Sequence, residues 1–224
     1  MNYIEIAKGA PRNRGFMISK SELSSYIDPK EPLYRSLYLY DDAGKSQIET
    51  AGSVGDYYGT RWIDKVLVDV DKGDNSNEET LRQTKACVYA LTDAGVIPRN
   101  SIQPYFSGSG YHLIIPNSVF NFLPTPELPY IVRQTMAALL PGIDDMVYIR
   151  TAIYRVPHTV NLKTGLYKIP LTVKELDTLK ADEILELAKT PRLEFAYHGL
   201  MGEGELEEYI VKETPKITEL RPVI

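Results

Sequence analysis

The chain is 224 residues long, 43% hydrophobic and 25% charged, with a formal net charge of −5. Those proportions suit a globular protein with a sizeable core and exclude a fibrous or low-complexity chain. A lone cysteine, Cys87, excludes a disulfide framework and a cysteine-rich zinc site. It falls in a helical segment and reads as a small core residue rather than a nucleophile. Met1–Lys20 lacks the continuous apolar run of a signal peptide. The longest uncharged stretch, Asn100–Pro126, holds four prolines and is no membrane helix. A reducing, cytoplasmic setting without membrane association is the expectation.

In chain order, Ser36–Tyr40 and Ile63–Val70 read as strands from their β-branched and aromatic content. Asn77–Ala94 reads as a helix. Ser76 and Glu79 fit a capping box, Leu81, Val88 and Leu91 form an apolar stripe, and Gly95 supplies a stop. Ile102–Phe106 and Tyr111–Ile115 make a hairpin around Ser107-Gly108-Ser109-Gly110. Glu127–Leu140 is a second helix, entered through prolines and ended by Pro141-Gly142. Short strand-like pieces follow Asp144, including Tyr167–Thr172. Val173–Lys189 and Gly204–Lys212 read as helical. The succession predicts an α/β or α+β sheet with helices on one face.

Charge is spread unevenly. Glu175–Ile224 carries 12 acidic and 6 basic residues, whereas Met1–Lys174 carries 18 and 19. Met146–Lys174 contains Arg150, Arg155, Lys163, Lys168 and Lys174 with no acid, and Ile6–Lys20 contains Lys8, Arg12, Arg14 and Lys20 with none. Such blocks are either ordinary solvated faces or surfaces that meet phosphate.

The segment with the clearest chemistry is Val66-Leu67-Val68-Asp69-Val70-Asp71. In a strand, Asp69 and Asp71 share one face about 7 Å apart, where they repel unless a cation joins them. A calcium loop fails on spacing, because Asp74 and Thr80 stand where glycine and glutamate are needed. His112 follows a turn of little side-chain bulk, which allows backbone amides to approach a phosphate. Further on, Ile143-Asp144-Asp145 supplies a third acid, and Arg155 and Lys163 are candidate phosphate binders, arginine bidentate and lysine a point charge. His158 has no assigned place.

Together these clusters resemble the archaeo-eukaryotic primase superfamily, in particular the primase-polymerases of phages and plasmids. The marks are an acidic pair ending a strand (Asp69-Val70-Asp71), an s-x-H motif (Gly110-Tyr111-His112), a third acid (Asp144) and the segment Arg155-Val-Pro-His-Thr-Val-Asn-Leu-Lys163. Coverage runs from about Tyr38 to Leu171. Asp145 is an alternative third acid, but the spacing to Val147 and Arg155 favours Asp144. Gly110 replaces the usual serine, so that role is absent or falls to Ser109.

The resemblance implies an RRM-like, antiparallel-rich sheet with helices on one face, joined to a second small α/β unit with the site in the groove between them. It implies a catalytic core over residues 1–172, with 173–224 as an acidic helical extension packed on it. Asp69, Asp71 and Asp144 would hold two Mg²⁺ or Mn²⁺ ions, with no zinc. Ser109, His112, Arg155 and Lys163 would meet the incoming NTP or dNTP. Arg150 and the Lys8–Lys20 block would track a single-stranded DNA template and primer. A helicase or helical priming domain is the implied partner, in a bacterial, archaeal or phage-infected cell. The acids alone also suit a metal-dependent nuclease, and the fold alone suits a non-catalytic replication accessory.

Overall fold

Val66, Val68 and Val70 alternate with Leu67 and Asp69, so one strand presents an apolar ridge to one side and a mixed surface to the other. In the computed structural model, which describes residues 3–93, 95 and 97–195, that strand sits within an α+β chain. The elements are β1 (Tyr3–Lys8), β2 (Phe16–Ser19), β3 (Leu33–Ser36), α1 (Asp42–Ala51), β4 (Lys65–Val70), α2 (Asn77–Asp93), β5 (Gln103–Phe106), β6 (Tyr111–Pro116), α3 (Leu128–Leu139), β7 (Ile153–Arg155), β8 (Ile169–Pro170), α4 (Val173–Thr178) and α5 (Ala181–Leu187). They build two four-stranded antiparallel sheets, ordered β2-β1-β3-β7 and β4-β6-β5-β8.

The predicted central elements lie close to their expected limits. Ser76 accepts the Glu79 N–H at 3.1 Å, while the Glu79 carboxylate pairs with Arg82 and Gln83 rather than reaching back to complete a capping box. Gly95 lies at φ +67, the left-handed geometry of a helix stop. Pro129 lies in the first turn of α3, where its missing N–H is harmless.

Three expectations need correction. The strand expected at Ser36–Tyr40 ends at Ser36, because the Ser36 hydroxyl accepts the Glu5 N–H at 3.0 Å and donates to the Tyr38 carbonyl at 2.7 Å. That side chain takes positions a ladder would use, and the chain continues through isolated bridges Tyr3↔Tyr40 and Leu39↔Trp62. Second, Ile6–Lys20 is not simply a cationic surface, since it contains the end of β1 and all of β2, with Ile6 and Ile18 in a small core. Third, the helical reading of Val173–Lys189 resolves into two short helices with a break between them. Thr172 caps α4 through a reciprocal pair with Glu175, and the chain is extended again at Leu179 and Lys180. The predicted helix at Gly204–Lys212 lies outside the described residues.

The sheets are joined by ions. Asp64 receives Lys20 at 2.7 Å, Arg35 at 3.4 Å and Lys65 at 3.7 Å. Burial alone would raise the Asp64 pKa, but Arg35, Lys65 and Lys20 outweigh it and hold the carboxyl well below the usual range. Stability from this group is present above the unfolded carboxylate pKa and is lost only far into acid.

Residues 173–187 are not a separate appendage, for Leu176, Ala181 and Ile184 belong to the main core with Val68, Val88 and Leu113. Arg99 pairs with Asp177 at 2.6 Å, and the Glu78 carboxylate accepts the Ala181 N–H at 3.1 Å. Among the described residues no helix is long and apolar enough to cross a membrane. Ile184→Ala is expected to lower the stability of the whole protein by about 2–5 kcal/mol in a single denaturant transition. An unchanged main transition would mean that α5 is peripheral.

Candidate active site

The β4–β6 register sets Asp69 directly opposite His112, and the β5–β6 register sets Tyr105 opposite it on the other side. All three therefore share one sheet face, with Asp71 continuing it past the strand end. His112 Nε2 lies 3.5 Å from Asp69 Oδ1. The turn that delivers His112 is closed by the Ser107 N–H donating to the Gly110 carbonyl at 2.8 Å and the Gly110 N–H donating to Ser107 Oγ at 3.2 Å. Gly110 is required there: a Cβ would stand 2.3 Å from the Val70 carbonyl oxygen and 3.2 Å from Asp71 Cα. A serine has no room at this position, and Ser109 lines the cleft.

The opposite wall comes from the other sheet. Tyr34 of β3 and Ile153, Tyr154 and Arg155 of β7 face the aspartates across a cleft of about 280 Å³. Arg155 donates to the Ser107 carbonyl at 2.6 Å and to the Tyr34 hydroxyl at 3.3 Å. Its buried Nε has no hydrogen-bond partner among the described residues. The cleft thus has carboxylates on one wall and a guanidinium on the other.

Burial and the adjacent Asp71 push the Asp69 carboxyl up to about 7, with Asp144 adding to the rise and Lys168 and Arg155 opposing it. Burial, Lys168 and Arg155 push the His112 imidazole well below its ordinary value, so it is neutral near pH 7. Lys168 is fully enclosed, and burial and Arg155 drive its ammonium well below the usual lysine range while Asp69 resists. Lys168 Nζ sits 2.9 Å from His112 Nδ1 and donates to the Arg155 carbonyl at 2.6 Å.

Of the residues expected from sequence, Asp69, Asp71, Ser109, His112 and Arg155 line this cleft. Asp144 is exposed and caps the 3-10 turn Asp145–Tyr148, its carboxylate accepting the Met146 N–H at 2.9 Å. That turn is anchored on the aspartate strand by the Tyr148 hydroxyl, 2.6 Å from the Leu67 carbonyl. Asp145 is instead held by Arg133 at 2.8 Å. Lys163 does not join the cleft lining, because it lies on an exposed turn that the Asn161 side chain organises. Lys168, five residues on, is the lysine that reaches the site from inside. Its signal in the sequence is a lone cation within the apolar run Leu166–Leu171.

Three cations of the Lys8–Lys20 block are also not free surface charges. Lys8 pairs with Glu31 at 3.1 Å, Arg14 with Glu5 and Lys20 with Asp64. Those acids all lie outside the segment, so three of the four cations of an acid-free stretch of sequence are paired in space. Arg150 stacks 4.3 Å above the exposed Tyr58 ring.

Asp69 and Asp71 offer hard oxygen donors suited to a divalent cation such as Mg²⁺ or Mn²⁺. Asp144 contributes negative potential, and among the described residues no three His, Cys, Asp or Glu side chains gather closely enough to enclose a metal. A cation would relieve the repulsion that raises the Asp69 pKa. No family model matches the chain, and no curated protein matches it by sequence.

A carboxyl with a raised folded pKa gives stability that is complete below its unfolded pKa and lost as pH rises through about 7. Asp69→Asn is therefore expected to raise the melting temperature in EDTA at pH 8, with a clearly smaller effect at pH 5. Each kcal/mol of repulsion removed should be worth roughly 2–4 °C. Equal shifts at both pH values would show that Asp69 is not under this strain.

Proposed function

We propose that the chain is a template-directed nucleotidyltransferase of the archaeo-eukaryotic primase type, acting as a DNA primase, a DNA polymerase or both. The observation that carries this reading is the meeting of Asp69 and Asp71 with His112 and Arg155 in one cleft between two antiparallel sheets. In this reading the β4-β6-β5-β8 sheet is the RRM-like unit and the β2-β1-β3-β7 sheet belongs to the second.

Asp69 and Asp71 would hold Mg²⁺ or Mn²⁺, with Asp144 adding negative potential from the neighbouring turn, and the ion would activate a terminal hydroxyl and offset triphosphate charge. The protein's own groups do the positioning. Arg155 is pinned by the Ser107 carbonyl and Tyr34 hydroxyl, so its remaining donors meet triphosphate oxygens without first ordering a long side chain. The 107–110 turn brings backbone close to the same place. His112, neutral and buried, supplies one hydrogen bond rather than a charge. Template sequence is read by base pairing, so the protein needs mainly backbone contacts to single-stranded DNA, and affinity falls with salt. Arg150 beside Tyr58 suits that role better than the paired cations of the Lys8–Lys20 block.

The test offers primed and unprimed single-stranded DNA with NTPs or dNTPs in Mg²⁺ or Mn²⁺. Wild type is expected to incorporate nucleotides, and Asp69→Asn or Asp71→Asn to fall to background while staying folded. Full activity in either variant refutes the metal assignment. Arg155→Ala should raise the nucleotide KM about 10- to 100-fold, matching the ~1.5–3 kcal/mol of a hydrogen bond to a charged group. Cleavage of labelled DNA by the same metals without triphosphates would replace the polymerase reading with a nuclease.

A further inference from the structure

His112 can serve an anion or a metal, and its tautomer decides which. An Nε2 lone pair aimed at the cleft ligates a cation, whereas an Nε2–H donates to a phosphate oxygen. The opposite ring nitrogen, Nδ1, lies 2.9 Å from Lys168 Nζ. Nζ also lies 2.6 Å from the Arg155 carbonyl, which only accepts, so the nitrogen is a donor there. As an ammonium, Lys168 has donors alone. The Tyr105 and Tyr154 rings, each centred 5.0 Å from Nζ, present the electron-rich surroundings that favour this form. A neutral amine keeps two N–H bonds, enough for both acceptors, but its lone pair could equally accept from Nδ1–H, so it is the ammonium form that fixes the tautomer.

The backbone of Lys168 is fixed as well. Its N–H donates to the Thr159 carbonyl at 3.0 Å and its carbonyl accepts the His158 N–H at 2.7 Å. His158 holds φ +68 to make that bond, an uncommon conformation for a non-glycine residue.

We propose that Lys168 is a positioning residue that donates to His112 Nδ1 and so fixes the Nε2–H tautomer, turning a hydrogen-bond donor toward Asp69 and the cleft. His112 then belongs to the phosphate side of the site and does not ligate metal through Nε2. The kinetic consequence rests on the nucleotidyl-transfer reading, whereas the tautomer does not.

The experiment is ¹⁵N NMR of the full chain with labelled histidine, the His112 signals being identified by their loss in His112→Asn. Wild type is expected to show a protonated, pyrrole-type Nε2 and an unprotonated, pyridine-type Nδ1. In Lys168→Met the fixed tautomer should be lost. Nucleotide KM should rise roughly tenfold, the equivalent of about one such hydrogen bond, with a smaller change in kcat. A protonated Nδ1 in wild type, or an unchanged tautomer in Lys168→Met, overturns the proposal. A fall in kcat at unchanged KM, with the tautomer intact, marks a purely structural role and overturns it too. Should Lys168→Met not fold, the wild-type spectrum decides by itself. Wild type with the Nε2–H tautomer but no nucleotide incorporation removes the polymerase reading and still supports the assignment of Lys168.

Discussion

The site depends on strand register. Asp69 and His112 face one another across β4 and β6, and a slip of one residue would turn one of them into the apolar layer beneath. The register is held from both sides. Val66, Val68 and Val70 must face the same core as Leu113 and Ile115, and the turn after β5 fits over the end of β4 only because residue 110 has no side chain. Packing on the hidden face therefore specifies chemistry on the open one.

A second constraint is the number of cations inside the fold. Arg35, Arg61, Lys65 and Lys168 are all buried, yet Asp64 is the shared carboxylate for Arg35 and Lys65. Buried charge without a partner is expensive, so aromatic rings and backbone carbonyls satisfy much of the rest. Arg61 lies 5.0 Å from the centre of the Tyr57 ring and donates to the Gly59 carbonyl at 3.0 Å. Lys168 lies between two tyrosines and donates to the Arg155 carbonyl. Positive charge is presented to the cleft by Arg155, while Asp69 and Asp71 cover the other wall. A polyanion bound with divalent cations has the complementary pattern.

Much of this arrangement was legible in the sequence because it is local. Two aspartates alternating at a strand end, a glycine-rich turn and a histidine two residues beyond it define a face without any knowledge of the remaining chain. The helices α2 and α3 were legible for the same reason, through spacing and end signals. The first sheet was not. Its strands are short, β1 carries a buried glutamate, and Glu5 makes sense only once Arg14 is seen to reach it. The neutralising partners of Lys8 and Lys20 lie 23 and 44 residues away along the chain, beyond any local window. Lys163 and Lys168 differ in the same way. An exposed lysine on a polar turn looks available, whereas a lysine in an apolar run looks misplaced until the histidine across the sheet appears.

The bond from Arg155 to the Ser107 carbonyl crosses from one sheet to the loop of the other. It acts as a stay across the crevice, and the gap between the walls is thereby set before anything enters. A guest that draws the guanidinium away from that carbonyl slackens the stay, so occupancy at one wall is felt mechanically by the loop that carries the opposite one.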